Sequence, residues 1–398
     1  MARSQLEFEP MLTDPLGELK RARQTGWLAD TAFDTVAALT HERVRELLSD
    51  GRLRANFVDF MQAFGVTSGP FYDWMAQSPL NRDGADHLRW RGLMSKAFTP
   101  RSVERLRPFL QQSAHDLIDG FAARGECEFM AAFADAYPSL GLCELIGVPA
   151  EDRDRFRGWA NTIGLGFSPV SMGTRITEID EALSQLLAYA SALASKRRQD
   201  PRDDLVTRIA KAADEEGGWS DANVSGAIAG LVFAGHETTK NQLGWMMALL
   251  APRRDVWDAV AKGELTVEDV VEEVLRIRGA ATTVGRTVAD EPVDVGGEHL
   301  VPGTRVMLSL WSANHDEAAF PHPDELSPKA NAENPHMSFG HGPHYCLGAA
   351  LARAELQEGL RDLTARLECP SVGADATWKP PMGINGPELL PITFARRP

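Results

Sequence analysis

The sequence predicts a mainly α-helical protein with a minor β region, folded as a single domain over residues 1–398. Three segments, 34–48, 102–123 and 178–199, carry apolar residues at the i, i+3, i+4, i+7 spacing of amphipathic helices. A fourth segment, 219–250, is apolar on most faces, and a helix of that length and composition must run through the centre of the protein. We find no linker, low-complexity tract or internal repeat that would divide the chain.

The boundaries of these elements follow from local signals. Ser220 is a plausible N-cap for the long apolar helix. Strand-like alternation occurs in 283–310, where Gly-Gly and Pro-Gly turns interrupt it, and again in 389–394. Between these, residues 313–338 are rich in Pro, Asn and Asp. This irregular run is too long for an ordinary connection and indicates an ordered, functional loop.

Composition narrows the class of protein. A hydrophobic fraction of 43% and a charged fraction of 24% are ordinary for a soluble globular protein. The net charge of −15 argues against a nucleic-acid binder. The first residues lack the apolar run of a signal peptide, and the most apolar stretch, 227–235, is too short to span a membrane. We therefore expect a cytoplasmic protein with no membrane or nucleic-acid partner.

The segment FGHGPHYCLG, residues 339–348, places Cys346 among glycines and just before a helical pattern. Free N–H groups at a helix N-terminus favour thiolate over thiol. A single thiolate on a Gly-rich loop suits a metal that brings its other ligands with it, as haem iron does. Two alternatives stay open here: Cys346 as a small buried hydrophobe, and a zinc site with His341 and His344, whose fourth ligand would be unassigned.

The motif AGHETT, residues 234–239, interrupts the long apolar helix with glycine and two threonines, all poor helix formers. Glu237 beside Thr238 in such a setting is typical of a proton-delivery pair. The alternative is that the threonine hydroxyls bond to the carbonyl four residues earlier and only bend the helix.

Two further pairs lie at helical spacing. Glu273 and Arg276 are three residues apart and share a helix face, where such pairs are commonly surface decoration. His87 and Arg91 are one turn apart and could bind one anionic group, although a solvated basic face is the better explanation of the pair taken by itself.

Together and in this order, the four motifs resemble those of the cytochrome P450 family, the haem-thiolate monooxygenases, in its soluble bacterial form. The stretch from Phe339 to Gly348 matches the family's cysteine motif at every defining position. The other motifs resemble the oxygen-activating helix, the Glu-x-x-Arg helix and the propionate-binding helix, so the resemblance runs from about His87 to beyond Cys346.

The resemblance implies the P450 fold, with haem b (iron protoporphyrin IX) between the long central helix and the helix after the Cys loop. It implies that Cys346 is the axial iron ligand. Phe339 would pack beside the sulfur, and backbone N–H groups after Cys346, in the stretch that contains Gly348, would tune it. Thr238 would steady dioxygen and a water, Glu237 would relay protons, and Glu273 and Arg276 would lock the proximal side. The haem propionates would be held by His87, Arg91, Arg286 and His344. The groove where dioxygen binds would be opened by Ala234 and Gly235.

One departure from the family pattern is visible. The family usually has an arginine shortly before Asn334-Pro335-His336 that completes a triad with the helix Glu and Arg. Here Lys329 or Asn331 occupies that region, and neither offers a forked guanidinium. The departure puts the details of this lock in doubt.

The implied reaction inserts one atom of dioxygen into an organic molecule, with electrons from NAD(P)H through a ferredoxin. Lys96, Arg101 and Arg105 are candidates for contacts with that ferredoxin. An apolar pocket favours an aromatic, polyketide-like or terpenoid substrate, free or bound to a carrier protein, in natural-product tailoring. A peroxide-driven haem enzyme and a non-enzymatic haem or gas-binding protein are the alternatives, although neither needs an acid–alcohol pair. Candidate substrate contacts are Phe71, Tyr72, Trp74, Phe167, Val232, Phe233, Thr282, Val284, Met382 and Ile384.

Overall fold

Helices form most of the protein in the computed structural model, which describes residues 3–397 apart from the side chains of Lys96 and Ala97. In chain order the α-helices are α1 (Phe8–Thr13), α2 (Pro15–Thr25), α3 (His41–Ser49), α4 (Phe57–Ala63), α5 (Pro70–Gln77), α6 (Gly84–Ala97), α7 (Pro100–Ala122), α8 (Ala136–Ile146), α9 (Arg153–Gly164), α10 (Pro169–Gln199), α11 (Leu205–Glu216), α12 (Asp221–Leu250), α13 (Arg254–Ala261), α14 (Val267–Ile277), α15 (Leu310–Asn314) and α16 (Ala349–Arg366).

The strands form a minor part of the fold. They are β1 (Ser4–Gln5), β2 (Leu28–Asp30), β3 (Val36–Ala38), β4 (Leu53–Ala55), β5 (Glu126–Glu128), β6 (Thr283–Val288), β7 (Val293–Val295), β8 (Glu298–Leu300), β9 (Arg305–Ser309), β10 (Leu367–Val372), β11 (Thr377–Trp378), β12 (Pro387–Leu389) and β13 (Pro391–Arg396). The largest sheet has the order β1-β2-β3-β9-β6-β4, a second has the order β10-β13-β5, and β7-β8 and β11-β12 are two-stranded.

Helix α12 is the centre of the main hydrophobic core. Ser220 caps it in a reciprocal capping box with Asn223, as the sequence predicts. Helices α8, α9, α10 and α16 pack around it, which explains why it is apolar on most faces. A second core lies between α3 and the large sheet. The prediction of a central helix is confirmed.

The predicted strands are also confirmed: 283–310 contains β6 to β9, and 389–394 lies largely in β13. The predicted helix over 34–48 is wrong at its beginning. Val36–Ala38 is strand β3, and α3 starts only at His41. Pairing of β3 with β2 on one side and β9 on the other supplies hydrogen bonds that local helical periodicity cannot reveal.

None of the helices within residues 3–397 combines the length and the apolar composition that crossing a bilayer requires.

Candidate active site

Residues 339–348 form a tight loop that places Cys346 just before helix α16. The loop passes close beneath α3: Gly342 has a φ of +70°, and a Cβ there would lie 2.8 Å from the carbonyl oxygen of Leu48. The backbone N–H of Cys346 donates to the carbonyl oxygen of Phe339 at 2.9 Å and closes the loop. Gly342 is therefore needed for the fold of the loop itself.

The sulfur of Cys346 lies in a partly polar setting inside the protein. Burial raises the pKa of the Cys346 thiol, and hydrogen bonds from the backbone N–H groups of Gly348 and Ala349 oppose that rise. Next to this loop, the guanidinium of Arg353 lies 4.5 Å from the centre of the Phe339 ring. The sulfur therefore has backbone donors beside it, and a bound cation would favour its ionised form.

The Cys346 side chain lines a cavity of about 970 Å³ that extends to helix α12. This volume is at the upper end of the range for small-molecule sites, about 300–1,000 Å³. Ten of the eleven catalytic and cofactor-binding residues expected from the sequence line this one cavity: His87, Arg91, Ala234, Gly235, Thr238, Arg286, Phe339, His344, Cys346 and Gly348.

The cavity opens to solvent through an apolar mouth formed by α1 and the turn between β2 and β3. Phe8, Leu12 and Phe33 line it, and each leaves between 42% and 50% of its surface exposed. The Phe8 and Phe33 rings meet edge to face with their centres 5.8 Å apart. The outer part of the site is thus apolar and accessible.

One wall of the cavity carries cationic side chains without anionic partners. Arg286 is 6% exposed, and its Nη1 donates to the carbonyl oxygen of Gly285 at 2.8 Å. Neither Arg286 nor Arg91 is in direct ion-pair contact with a carboxylate in the described part of the chain, and Asp83 acts on Arg286 only through its charge. Burial lowers the pKa of Arg286. A buried guanidinium is stable when an anion completes its surroundings, so this wall fits an anionic group of a ligand.

Two histidines stack beside these arginines. The rings of His87 and His344 lie 3.9 Å apart, and His344 Nε2 is 2.9 Å from Asp83 Oδ1. Burial, aided by the charges of His344 and Arg91, lowers the pKa of His87 to about 4. His87 is therefore neutral at pH 7 and can donate one hydrogen bond into the cavity.

The acid–alcohol pair of α12 is divided between two environments. The Thr238 hydroxyl faces the cavity and donates to the carbonyl oxygen of Ala234 at 2.7 Å, the back-bond that was the alternative interpretation of this motif. Glu237 does not line the cavity. Its carboxylate accepts hydrogen bonds from Asn241 Nδ2 at 2.9 Å and from Lys379 Nζ.

The pKa of Glu237 reflects two opposing effects. Burial disfavours the charged carboxylate, but the charges of Lys379 and Lys240 and the hydrogen bonds to the carboxylate hold its pKa below the ordinary value. Glu237 is therefore ionised at neutral pH despite being buried.

Sequence reasoning missed Glu355, a carboxyl group on the cavity wall. It lies on α16, is 1% exposed, and is hydrogen-bonded by Thr239. Burial raises the pKa of Glu355 well above its ordinary value and so favours the protonated form. Its position four residues after Leu351, on the apolar face of α16, was the signal that could have identified it.

Glu273 and Arg276 form a buried pair rather than a surface one. Arg276 donates from Nε and Nη2 to the two oxygens of Glu273, both at 2.8 Å. The Nδ2 of Asn331 donates to Glu273 Oε1 at 2.9 Å. Asn331, and not Lys329, therefore takes the third position, with one hydrogen bond where the family usually has an arginine fork.

The candidate substrate residues separate into two groups. Phe71, Trp74, Val232 and Phe233 are core residues, at most 8% exposed, and Tyr72 accepts a hydrogen bond from Gln62 on the outside. None of these five lines the cavity, and the rings of Phe71 and Trp74 pack against that of Phe233. Their contact with substrate stays a prediction. The remaining five line the cavity: Phe167, Thr282, Val284, Met382 and Ile384.

The zinc alternative finds no geometric support in the described part of the chain. No three His, Cys, Asp or Glu side chains there are arranged to hold a metal ion. His344 bonds to Asp83, and His341 Nε2 lies 3.4 Å from Arg45 Nε.

Comparisons with known proteins agree with this geometry. The family model "Cytochrome P450" matches residues 167–369. The chain is 32% identical to luteothin monooxygenase of Streptomyces thioluteus over 95% of this chain and 92% of the relative. It is 36% identical to mycinamicin IV hydroxylase/epoxidase of Micromonospora griseorubida over 89% and 88%.

Solved structures give the same result. P450BioI in complex with hexadec-9Z-enoic acid ligated acyl carrier protein has a TM-score of 0.88 and 27% identity, covering 96% of this chain and 98% of that one. CYP109Q5 from Chondromyces apiculatus has a TM-score of 0.88 and 26% identity, covering 99% and 98%. The chain therefore belongs to the cytochrome P450 family, and it is a monooxygenase of this family, whose cofactor is a haem held through a thiolate.

Proposed function

We propose that residues 1–398 form one P450 domain in which Cys346 is the axial ligand of haem b (iron protoporphyrin IX). The observation that carries this proposal is that the Cys346 sulfur and the unpaired, buried Arg286 face the same large cavity. A thiolate at one place and unpaired guanidinium groups at another fit the iron and the two carboxylates of a haem. Arg91, Arg286, His87 and His344 would bind those carboxylates, and Glu273, Arg276 and Asn331 would hold the supporting structure.

When bound, the haem activates dioxygen so that one oxygen atom enters the substrate and the other leaves as water, with consumption of two electrons and two protons. The chain's own residues supply geometry and protons. Ala234 and Gly235 leave space at the middle of α12, and the Thr238 hydroxyl can hold a proton donor there. Glu237, which is ionised at rest, would take up a proton from solvent and pass it on towards Thr238.

We propose that the substrate is an apolar or aromatic small molecule in natural-product tailoring. Phe167, Val284, Met382 and Ile384 contribute apolar side chains to the cavity lining, and Thr282 contributes a polar one. The apolar mouth extends that character outwards. Relatives that are named for luteothin and mycinamicin, and one for polyketide biosynthesis, support this class of substrate.

The electrons would come from NAD(P)H through a ferredoxin reductase and a ferredoxin. Arg101 and Arg105 are exposed at the start of α7, and Arg105 is engaged in an exposed ion pair with Asp203 at 3.1 Å. Such an exposed ion pair contributes little to stability, so Arg105 can exchange Asp203 for an acidic group of the ferredoxin. The side chain of Lys96, the third candidate contact, lies outside the described residues.

The test of this function is the absorption spectrum of the purified protein, reduced with dithionite, before and after addition of carbon monoxide. We expect a strongly red-shifted Soret band in the native chain, because a thiolate lies opposite the bound gas. Cys346→His should lose that band while retaining haem. Cys369→Ser is the matched control, because this cysteine lies outside the cavity. Absence of haem in protein expressed with ample iron and haem precursor would contradict the proposal.

A further inference from the structure

The hairpin of β11 and β12 carries a loop, residues 379–386, into the cavity wall. Met382 and Ile384 face the cavity from this loop. The two arms of the loop are tied together: the backbone N–H of Lys379 donates to the carbonyl oxygen of Gly386 at 3.0 Å, and the Asn385 side chain donates to the carbonyl oxygen of Lys379 at 2.8 Å. A displacement at the cavity face is therefore transmitted to Lys379.

Neutral hydrogen bonds attach the loop to the rest of the protein in three places. Thr282 N donates to Gly383 O at 3.2 Å, Asn385 N donates to Ala280 O at 2.8 Å, and Trp245 Nε1 donates to Asn385 O at 3.1 Å. A charged contact adds to them, because the Nζ of Lys379 bonds to Oε1 of Glu237 on α12. Both side chains are largely shielded, with 28% and 10% of their surfaces exposed.

The other charged groups near Glu237 lie on α12 or just before α8, and not on the loop. Lys240 Nζ lies 3.8 Å from Glu237 Oε2 but is closer, at 3.0 Å, to Asp135 Oδ1. His236 Nε2 lies 3.4 Å from the same Asp135 oxygen. Lys240 is thus shared between two carboxylates, whereas Glu237 is the carboxylate that Lys379 contacts in the described structure.

We propose that Lys379 is a positioning residue of this enzyme, whose ion pair with Glu237 couples the cavity-lining loop 379–386 to the acid of α12. A ligand that displaces Met382 or Ile384 also displaces Lys379, and thereby changes the surroundings of the Glu237 carboxylate. By thermodynamic reciprocity, the state of Glu237 alters the affinity for ligands that touch the loop. The role given to Glu237 rests on the proposed function, but the coupling itself does not.

The first experiment measures backbone hydrogen exchange in the haem-loaded full chain. The reporting amides are those of Thr282 and Asn385, whose hydrogen bonds attach the loop. Lys379→Met and Glu237→Gln should each speed exchange at both amides about tenfold, since each removes a charge-assisted contact from a shielded site. The double variant should match either single variant, because the two changes remove the same contact.

Two further variants distinguish a specific ion pair from general disruption. Lys379→Arg keeps a cation and should restore exchange to within about threefold of the native chain. Lys240→Met removes the other cation near Glu237 and should leave exchange at Thr282 and Asn385 unchanged, because the described polar contacts of Lys240 are with Asp135, Glu237 and Asn161 and not with the loop.

The second experiment measures the affinity of two haem-binding probes from their Soret shifts. The affinity for 4-phenylimidazole, whose phenyl group needs space in the cavity, should change about threefold or more in Lys379→Met and equally in Glu237→Gln. The affinity for imidazole itself should stay within about twofold. Unchanged exchange in Lys379→Met, or failure of Lys379→Arg to restore it, would overturn the coupling. Neither result depends on substrate turnover. Hydrogen exchange can be measured with or without haem, so a chain that failed the carbon monoxide test would still report on the loop through exchange at Thr282 and Asn385.

Discussion

Asn331 should stabilise the protein far more than an ordinary loop asparagine does. It is 3% exposed, donates to Glu273 Oε1 at 2.9 Å and to the carbonyl oxygen of His322 at 3.1 Å, and accepts from the His322 N–H at 3.1 Å. Asn331→Ala leaves the part-buried N–H of His322 unpaired and removes a donor from the buried carboxylate of Glu273. Either effect costs about 1–3 kcal/mol, and because both fall in one network we expect a loss of about 2–4 kcal/mol.

Thermal unfolding of the haem-loaded protein, followed by circular dichroism, measures this loss. At about 2.1 cal/mol/K of unfolding entropy per residue, a chain of 398 residues loses about 1 °C of Tm per kcal/mol, so we expect a fall of about 2–5 °C. Asn334→Ala is the matched control: Asn334 is exposed and its Nδ2 donates to the carbonyl oxygen of Ala319. Equal Tm values for the two variants would refute the role assigned to Asn331.

Two further predictions concern cofactor retention and pH. Arg286→Leu should lower the ratio of Soret to protein absorbance after gel filtration, because it removes a buried cation from the cavity. The control variant Arg52→Leu removes an exposed arginine paired with Asp50 and should not lower this ratio. Equal ratios for the two variants would count against a haem carboxylate bound at Arg286. Burial, aided by nearby Arg278 and Arg276, lowers the pKa of His315 to about 4, so the unfolded chain binds this proton first and stability is lost as pH falls from about 6.5 towards 4. His315→Gln should reduce that loss by about 3 kcal/mol at most, measured as Tm against pH, and parallel profiles for native and variant protein would contradict the assignment.

The fold was largely predictable from the sequence because its long helices carry strong periodicity. The central helix, its cap at Ser220 and the strands of 283–310 follow from spacing and turn residues alone. Strand β3 was not predictable in this way. Val36–Ala38 becomes a strand because β9, which follows about 270 residues later, provides one of its partners.

The candidate site was predictable where motifs carry chemistry and less so where packing decides. The residues around Cys346 line one cavity, as their motifs indicate. An apolar side chain near a site can point into it or away from it, and the sequence does not distinguish the two: Phe167 lines the cavity, whereas Phe233, stacked 3.9 Å from it, is buried behind it. Lys379 was missed because its partner, Glu237, is 142 residues away along the chain.

The apolar mouth has a practical consequence for work with the purified enzyme. Phe8, Leu12 and Phe33 form an exposed apolar surface that is continuous with the cavity. Detergents and fatty acids from cell lysates partition onto such surfaces, driven by about 25 cal/mol for each Å² of apolar area removed from water. We expect preparations to carry adventitious lipid, so an organic-solvent extract of the purified protein, examined by mass spectrometry, should precede any screen for ligands.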